Sequence, residues 1–232
     1  MELDDHDTQP DDQLTNILEN TFNSKIQNIT KESIDNLSID KNNKHKLRLF
    51  KIKYDKIEKD KKNRTDKKWK TPLRYAGGKS KAIYKLEKHL PILLYGNDDI
   101  TEIHDCFLGG GSFPLYLTKL FPNKIFRVND IYKPLYTFWI QLRDNGKQMS
   151  EKLLTIKTQN DTIESCRLLF DQQKRVITKK DTSDLDKAIA FYILNKCSFS
   201  GLISSSFSEQ ASVSNFSING IQSLKVYSNL IQ

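Results

Sequence analysis

The run Asp105-Cys106-Phe107-Leu108-Gly109-Gly110-Gly111-Ser112-Phe113 constrains this chain more than any other feature. An apolar strand over about 100–107 runs into three glycines, which open a helix over about 113–121. Glycine has no Cβ and tolerates positive φ, so backbone at such a turn can approach a ligand closely. A second apolar strand, about 124–129, ends on Asp130. Strand, helix, strand in this order predicts a βαβ unit and a parallel sheet, hence an α/β fold. Rossmann-like folds place an acidic residue about 20 positions past the glycines to hold two ribose hydroxyls. The spacing therefore predicts an adenosine-containing ligand. A tight turn without a ligand is the plainer reading of the glycines alone, and the placement of Asp130 weighs against it. Pro114 stands where a dinucleotide fingerprint has its third glycine, which fits a single nucleoside better than a dinucleotide.

Charge divides the chain of 232 residues. Residues 1–40 carry ten acidic and two basic side chains, while 41–70 carry four acidic and fourteen basic. The first stretch reads as a largely disordered acidic tail. Within it Leu14, Ile17, Leu18, Phe22 and Ile26 recur at near-helical spacing, as in a short amphipathic helix. The second stretch has Leu47, Phe50, Tyr54 and Ile57 along one side. It reads either as a basic arm on a phosphate backbone or as a solvated linker. The remaining residues are also basic, which fits a polyanion partner or simply a lysine-rich surface.

Cys106, Cys166 and Cys197 form no close pair, so a reduced, intracellular setting is expected. His6, His45, His89 and His104 lack metal-ligand spacing, so no metal is expected. No apolar run approaches the ~18 residues of a membrane span, and the acidic start argues against a signal or transit peptide.

The folded part is expected to begin near Thr71. A loop over 73–79 precedes a helix over about 80–90, stopped by Pro91. After Asp130 a helix over about 134–143 is expected to end at Asn145-Gly146. A mostly helical region follows, clearest over 184–195, where Leu185, Ile189, Tyr192 and Ile193 share a face. The serine-rich stretch 198–219 has loop or hairpin chemistry rather than core character, and 224–231 reads as helical.

Gly78-Lys79-Ser80 imitates the end of a P-loop, but Leu73 stands where that motif needs a glycine. The alternative is a loop whose Tyr75 stacks on a base or adenine and whose Lys79 faces an anion. Pro72-Leu73-Arg74-Tyr75-Ala76-Gly77-Gly78-Lys79, then the glycine run, then Asp130, together resemble the opening of Dam-type (D12 class) adenine-N6 DNA methyltransferases. The resemblance continues through Phe191-Tyr192-Ile193-Leu194-Asn195, Phe199-Ser200-Gly201-Leu202 and Asn215-Phe216-Ser217.

The resemblance implies a Rossmann-like S-adenosylmethionine-dependent methyltransferase sheet, incomplete here, with a mostly helical target-recognition subdomain. It divides the chain into a methyltransferase core over 71–144, a recognition subdomain over 145–218 and a return toward the core over 219–232. It implies that Tyr75, Ala76, Gly77 and Lys79 line the S-adenosylmethionine pocket. Phe107, Gly109 and Gly111 would form the floor under the methionine part, with Asp105 beside the turn, and Asp130 would hold the ribose. Duplex DNA is the implied partner, and Asn195, Lys196, Phe199, Ser200, Leu202 and Ser204 are the candidate DNA contacts.

Three departures qualify this. Asp105-Cys106 replaces the family's Glu-Pro. Serines at 204–206 stand where GATC-reading members carry an arginine. The family's Asp-Pro-Pro-Tyr motif is absent, since no two prolines are adjacent. That motif supplies acceptors to the weakly nucleophilic adenine N6 and an aromatic that stacks on the flipped base. The expectation is therefore a truncated or split adenine methyltransferase, inactive alone, with a separate chain carrying the missing part. The alternative is a non-catalytic DNA-binding or S-adenosylmethionine-binding derivative. An open hydrophobic sheet edge and poor solubility are expected for the isolated chain.

Overall fold

A computed structural model of the protein describes residues 30–38, 40–62, 70–90, 94 and 100–232. The amphipathic segment around Leu14 and the stop at Pro91 lie outside these residues. The chain divides into two compact units, one of residues 1–67 and 84–101, the other of residues 68–83 and 102–232.

In the first unit, α1 (Lys31–Asp35) begins at Thr30, whose side chain accepts from Ser33 N while the Ser33 hydroxyl accepts from Thr30 N. This reciprocal pair satisfies two of the amides a helix start leaves unpaired. Asp40 starts the long α2 (Lys41–Lys62) in the same way, its carboxylate accepting from Asn42 N at 2.8 Å and Asn43 N at 3.0 Å. Ile34 and Leu47 are both buried among the described residues of these helices. The helix expected over 80–90 is instead three short pieces: a 3₁₀ turn at Lys79–Lys81, α3 (Ile83–Leu86) and a 3₁₀ turn at Glu87–His89.

The second unit holds the βαβ element. β1 (Glu102–Asp105) pairs in parallel with β2 (Ile125–Val128), with Glu102 opposite Ile125 and Asp105 opposite Val128. The crossover is α4 (Ser112–Leu120), which buries Leu115, Tyr116 and Leu117. Both strands are shorter than the sequence suggests, and they form a two-stranded sheet.

Most of the core is helical. α5 (Lys133–Gln159), α6 (Ile163–Thr178) and α7 (Asp184–Cys197) pack together, and α9 (Ile218–Leu230) lies on α5. Phe138 of α5 stacks on Tyr192 of α7 at 6.1 Å between ring centroids and meets Phe191 at 5.6 Å. α7 is buried over every residue from Ala188 to Cys197, not on one face only. It packs against α5, α6 and α8 (Glu209–Ser214), so from Ala188 onward no side of it faces water.

Two expectations are corrected here. Asn145-Gly146 does not end a helix. Asn145 leaves helical geometry (φ −130°, ψ 22°) and α5 then resumes, so the pair is a kink. A Cβ on Gly146 would lie 2.3 Å from Ser228 Oγ, so the bare backbone is what lets α9 pack there. Nor is the serine-rich stretch free of core: Phe216 and Ala211 are buried within it. Hairpin chemistry is present, because Ser198 bridges Phe207 in antiparallel fashion and Phe199 N donates to Ser206 O at 3.0 Å.

Candidate functional site

The glycine turn is held from three directions. Leu108 N donates to Asn129 O (2.9 Å) and Asn129 N donates to Asp105 O (2.8 Å), which laces the loops after β1 and β2 together. Asp130 then reaches across. Its Oδ2 accepts from Gly109 N at 2.9 Å and its Oδ1 from Tyr132 N at 3.0 Å. Each carboxylate oxygen keeps a further acceptor position. From α5, Trp139 donates its indole N–H to Gly109 O at 3.0 Å. Gly111 has φ +70°, and a Cβ there would fall 2.6 Å from the Trp139 ring. Any side chain at Gly111 would thus be strained and would collide with the support of the turn. Sequence reading missed Trp139, because an aromatic in the first turns of a helix looks like any core residue.

The loop before α3 closes over this turn. The ring of Tyr75 lies against Gly109 and Gly110. Its hydroxyl is pushed above the usual tyrosine range, first by burial and then by the nearby Asp130 carboxylate. Tyr132 is shifted the same way by burial and by Tyr75. Tyr75, Tyr132, Asp130 and the glycines therefore share one site. Ala76, Gly77 and Lys79 are exposed on the same loop, and Lys79 Nζ donates to Gly77 O at 2.9 Å. Ser80 Oγ donates to Ser112 Oγ at 3.1 Å, tying the end of the loop to the start of α4. Phe107 is 88% exposed, and Asp105 spends one oxygen on Phe107 N at 2.9 Å.

The end of α7 is fastened to the same loop. Both amide hydrogens of Asn195 are used internally, on Arg74 O (2.6 Å) and Gly201 O (2.7 Å), and its Oδ1 accepts from Arg74 N at 3.0 Å. Arg74 in turn donates to Ser198 O at 2.8 Å. The turn beyond it is outward-facing. Phe199 and Leu202 are 66% and 46% exposed, Ser200 and Ser204 are exposed, and Ser200 takes the left-handed conformation (φ +56°).

With this geometry in view, the sequence pattern of the D12 class N6 adenine-specific DNA methyltransferases matches residues 75–219. The chain belongs to that family. The matched residues run from Tyr75 through the glycine turn, Asp130 and the exposed turn at Phe199, and Arg74 lies one position before them. The type II methyltransferase M.MjaIII of Methanocaldococcus jannaschii is 29% identical over 135 residues, which is 56% of this chain and 46% of that protein. The chain thus spans about half the length of this curated relative.

Of the residues that the family motifs single out, the fold sets Tyr75 against Gly109 and brings Asp130 into hydrogen-bond range of Gly109, while Gly111 faces Trp139. The six expected to meet DNA separate into two sets. Phe199, Ser200, Leu202 and Ser204 face outward, whereas Asn195 and Lys196 are buried. Asn195 is a brace, because a base would find neither amide hydrogen free. Lys196 lies with its ammonium 5.2 Å from the centre of the Tyr192 ring. Among the described residues no three His, Cys, Asp or Glu side chains gather as a metal site would require, and no helix is long and apolar enough to cross a membrane.

Proposed function

We propose that this chain carries the S-adenosylmethionine-binding and DNA-reading parts of an adenine-N6 methyltransferase that acts on duplex DNA. The observation that carries the reading is the Asp130 carboxylate on Gly109 N–H, beneath Tyr75, at the carboxyl ends of two parallel strands. Ligands of open α/β sheets bind at that end. In this reading the two strands belong to a Rossmann-like sheet. Residues 71–144 form the core, 145–218 the recognition subdomain, and 219–232 return toward the core.

The residues present fit the cofactor. Asp130 keeps acceptor capacity for ribose hydroxyls while it holds the turn. Gly109 and Gly111 give a backbone cradle under the methionine part, with the exposed Phe107 and Asp105 at its edge. Tyr75, Ala76, Gly77 and Lys79 close the other side. When bound, S-adenosylmethionine supplies an activated methyl group, and the chain's own work is to bind and orient it. Phe199, Ser200, Leu202 and Ser204 meet the DNA, and Asn195 with Lys196 supports them from inside. The 232 residues contain no Asp-Pro-Pro-Tyr. In this reading the acceptor for the adenine amine lies outside these 232 residues, which by themselves transfer no methyl group.

Calorimetric titration of S-adenosylmethionine tests this. Asp130→Asn keeps an acceptor oxygen for Gly109 N–H but removes the charge that strengthens ribose hydrogen bonds. It is expected to weaken binding by about tenfold or more, since a hydrogen bond to a charged group is worth about 1.5–3 kcal/mol. Equal affinity in both proteins, or no binding by the wild type, would sink the reading.

A further inference from the structure

α2 lies wholly outside the residues that match the family. We propose that α2 is a separate DNA-contacting element that holds the sugar–phosphate backbone without reading sequence. This rests on the reading of the chain as a protein that works on DNA, and it adds a site which that reading does not use.

Charge is the first observation. The 22 residues of α2 include ten lysines and arginines against three acids. At 1.5 Å per residue the helix is about 33 Å long, so this charge lies along a rod that can follow a duplex. Three of these cations meet a partner among the described residues. Asp35 of α1 accepts from Arg48, its backbone carbonyl accepts from Lys44, and Asp55 pairs with Lys51.

Geometry is the second. Leu47 is buried, which fixes the inner side of α2. At 3.6 residues per turn, Lys41, His45, Arg48, Ile52 and Lys59 fall roughly 100–160° round from Leu47. Lys41, His45, Ile52 and Lys59 are exposed and Arg48 is half-buried. None of the three acids of α2 falls in that sector. The result is an outward sector that carries Lys41 near one end, Lys59 near the other and Arg48 between them, with no acid among them.

The partner is a polyanion with regularly spaced charge. An interfacial membrane helix needs a broad apolar face to insert. Here Leu47 is buried within the protein, and the exposed apolar residues among those described on α2 are Leu49 and Ile52, which do not make a broad face. Duplex DNA, with about one charge per 1.7 Å of axis, fits better, and it is already the substrate of the proposed function.

The test uses the full chain with Lys41→Gln/Lys59→Gln, and a fluorescein-labelled duplex of arbitrary sequence titrated across a salt series. Each phosphate contact contributes about 0.9 to the slope of log affinity against log salt. The double variant is expected to lower that slope by about two and to weaken binding on the order of tenfold at 0.1 M salt. Lys41→Glu/Lys59→Glu should weaken it further. S-adenosylmethionine affinity and helix content should not change. An unchanged slope with intact cofactor binding overturns the α2 site and leaves the proposed function standing. Absence of DNA binding by the wild type overturns both. Loss of binding to phosphatidylserine-containing vesicles in the variant, with DNA binding unaltered, assigns the sector to a membrane and overturns the proposal.

Discussion

Lys196 shows what burial does to a single residue. It is only 8% exposed, and no carboxylate pairs with it among the described residues. Burial first, and the like charge of Arg74 second, pull its ammonium from 10.5 down to about 8. The Tyr192 ring offsets part of that cost. Between about 8 and 10.5 the unfolded chain keeps a proton that the folded chain has shed, so this group makes stability rise with pH across that window. Below about 8 the charged form is carried into the fold and the full cost is present. Lys196→Met should raise the unfolding free energy at pH 7 by on the order of 2 kcal/mol. It should also flatten the rise above pH 8. Urea unfolding of both proteins at pH 7 and pH 10 reads this out, and a variant less stable at pH 7 would contradict it.

The element whose course is least evident locally is α5. Asn145-Gly146 is a stop signal by local chemistry, and Asn145 does leave helical geometry. The helix continues because its second half has packing to gain: Met149, Ser150 and Leu153 are buried, and Ser150 Oγ donates to Ile221 O of α9 at 3.2 Å. Gly146 is the point of closest approach to α9. Gly146→Ala would gain about 1 kcal/mol of helix propensity in isolation. In the fold it is expected to lose about 2 kcal/mol to overpacking against Ser228. Combining it with Ser228→Gly should restore much of the loss, as thermal melts of the three variants would show. A stabilised single variant would mean that α9 moves away freely.

At the scale of the whole molecule, the sheet is the weak part. β2 pairs with β1 alone among the described residues, and Ile125 and Val128 are 55% and 44% exposed. A cleft of about 770 Å³ runs beside β2, lined by α4, α5 and the last residues of α9. Unpaired strand edges with apolar side chains template association. The isolated chain is therefore expected to self-associate as concentration rises, and Val128→Lys to reduce this. Sedimentation velocity over a concentration series checks it, and a wild type that stays monomeric throughout would refute it.

The glycine turn, Asp130 and Tyr75 were legible from sequence because their chemistry is local: a left-handed backbone, a strand end, and a fixed spacing. The family followed from the same residues. The glycine turn likewise marked the start of the helix at 112–120, and hydrophobic periodicity the helix at 184–197, each to within a residue or two. What tertiary structure decided depends on partners distant in sequence. Asn195 reads as a polar residue free to meet DNA until Arg74, 121 positions away, claims its amide. Trp139 supports the turn only because α5 folds back beneath Gly109, and Phe216 is core only because it joins the buried cluster to which α5, α6 and α7 contribute. A side chain's local pattern states what it can bond to. Only the packed chain determines which of those groups comes within reach.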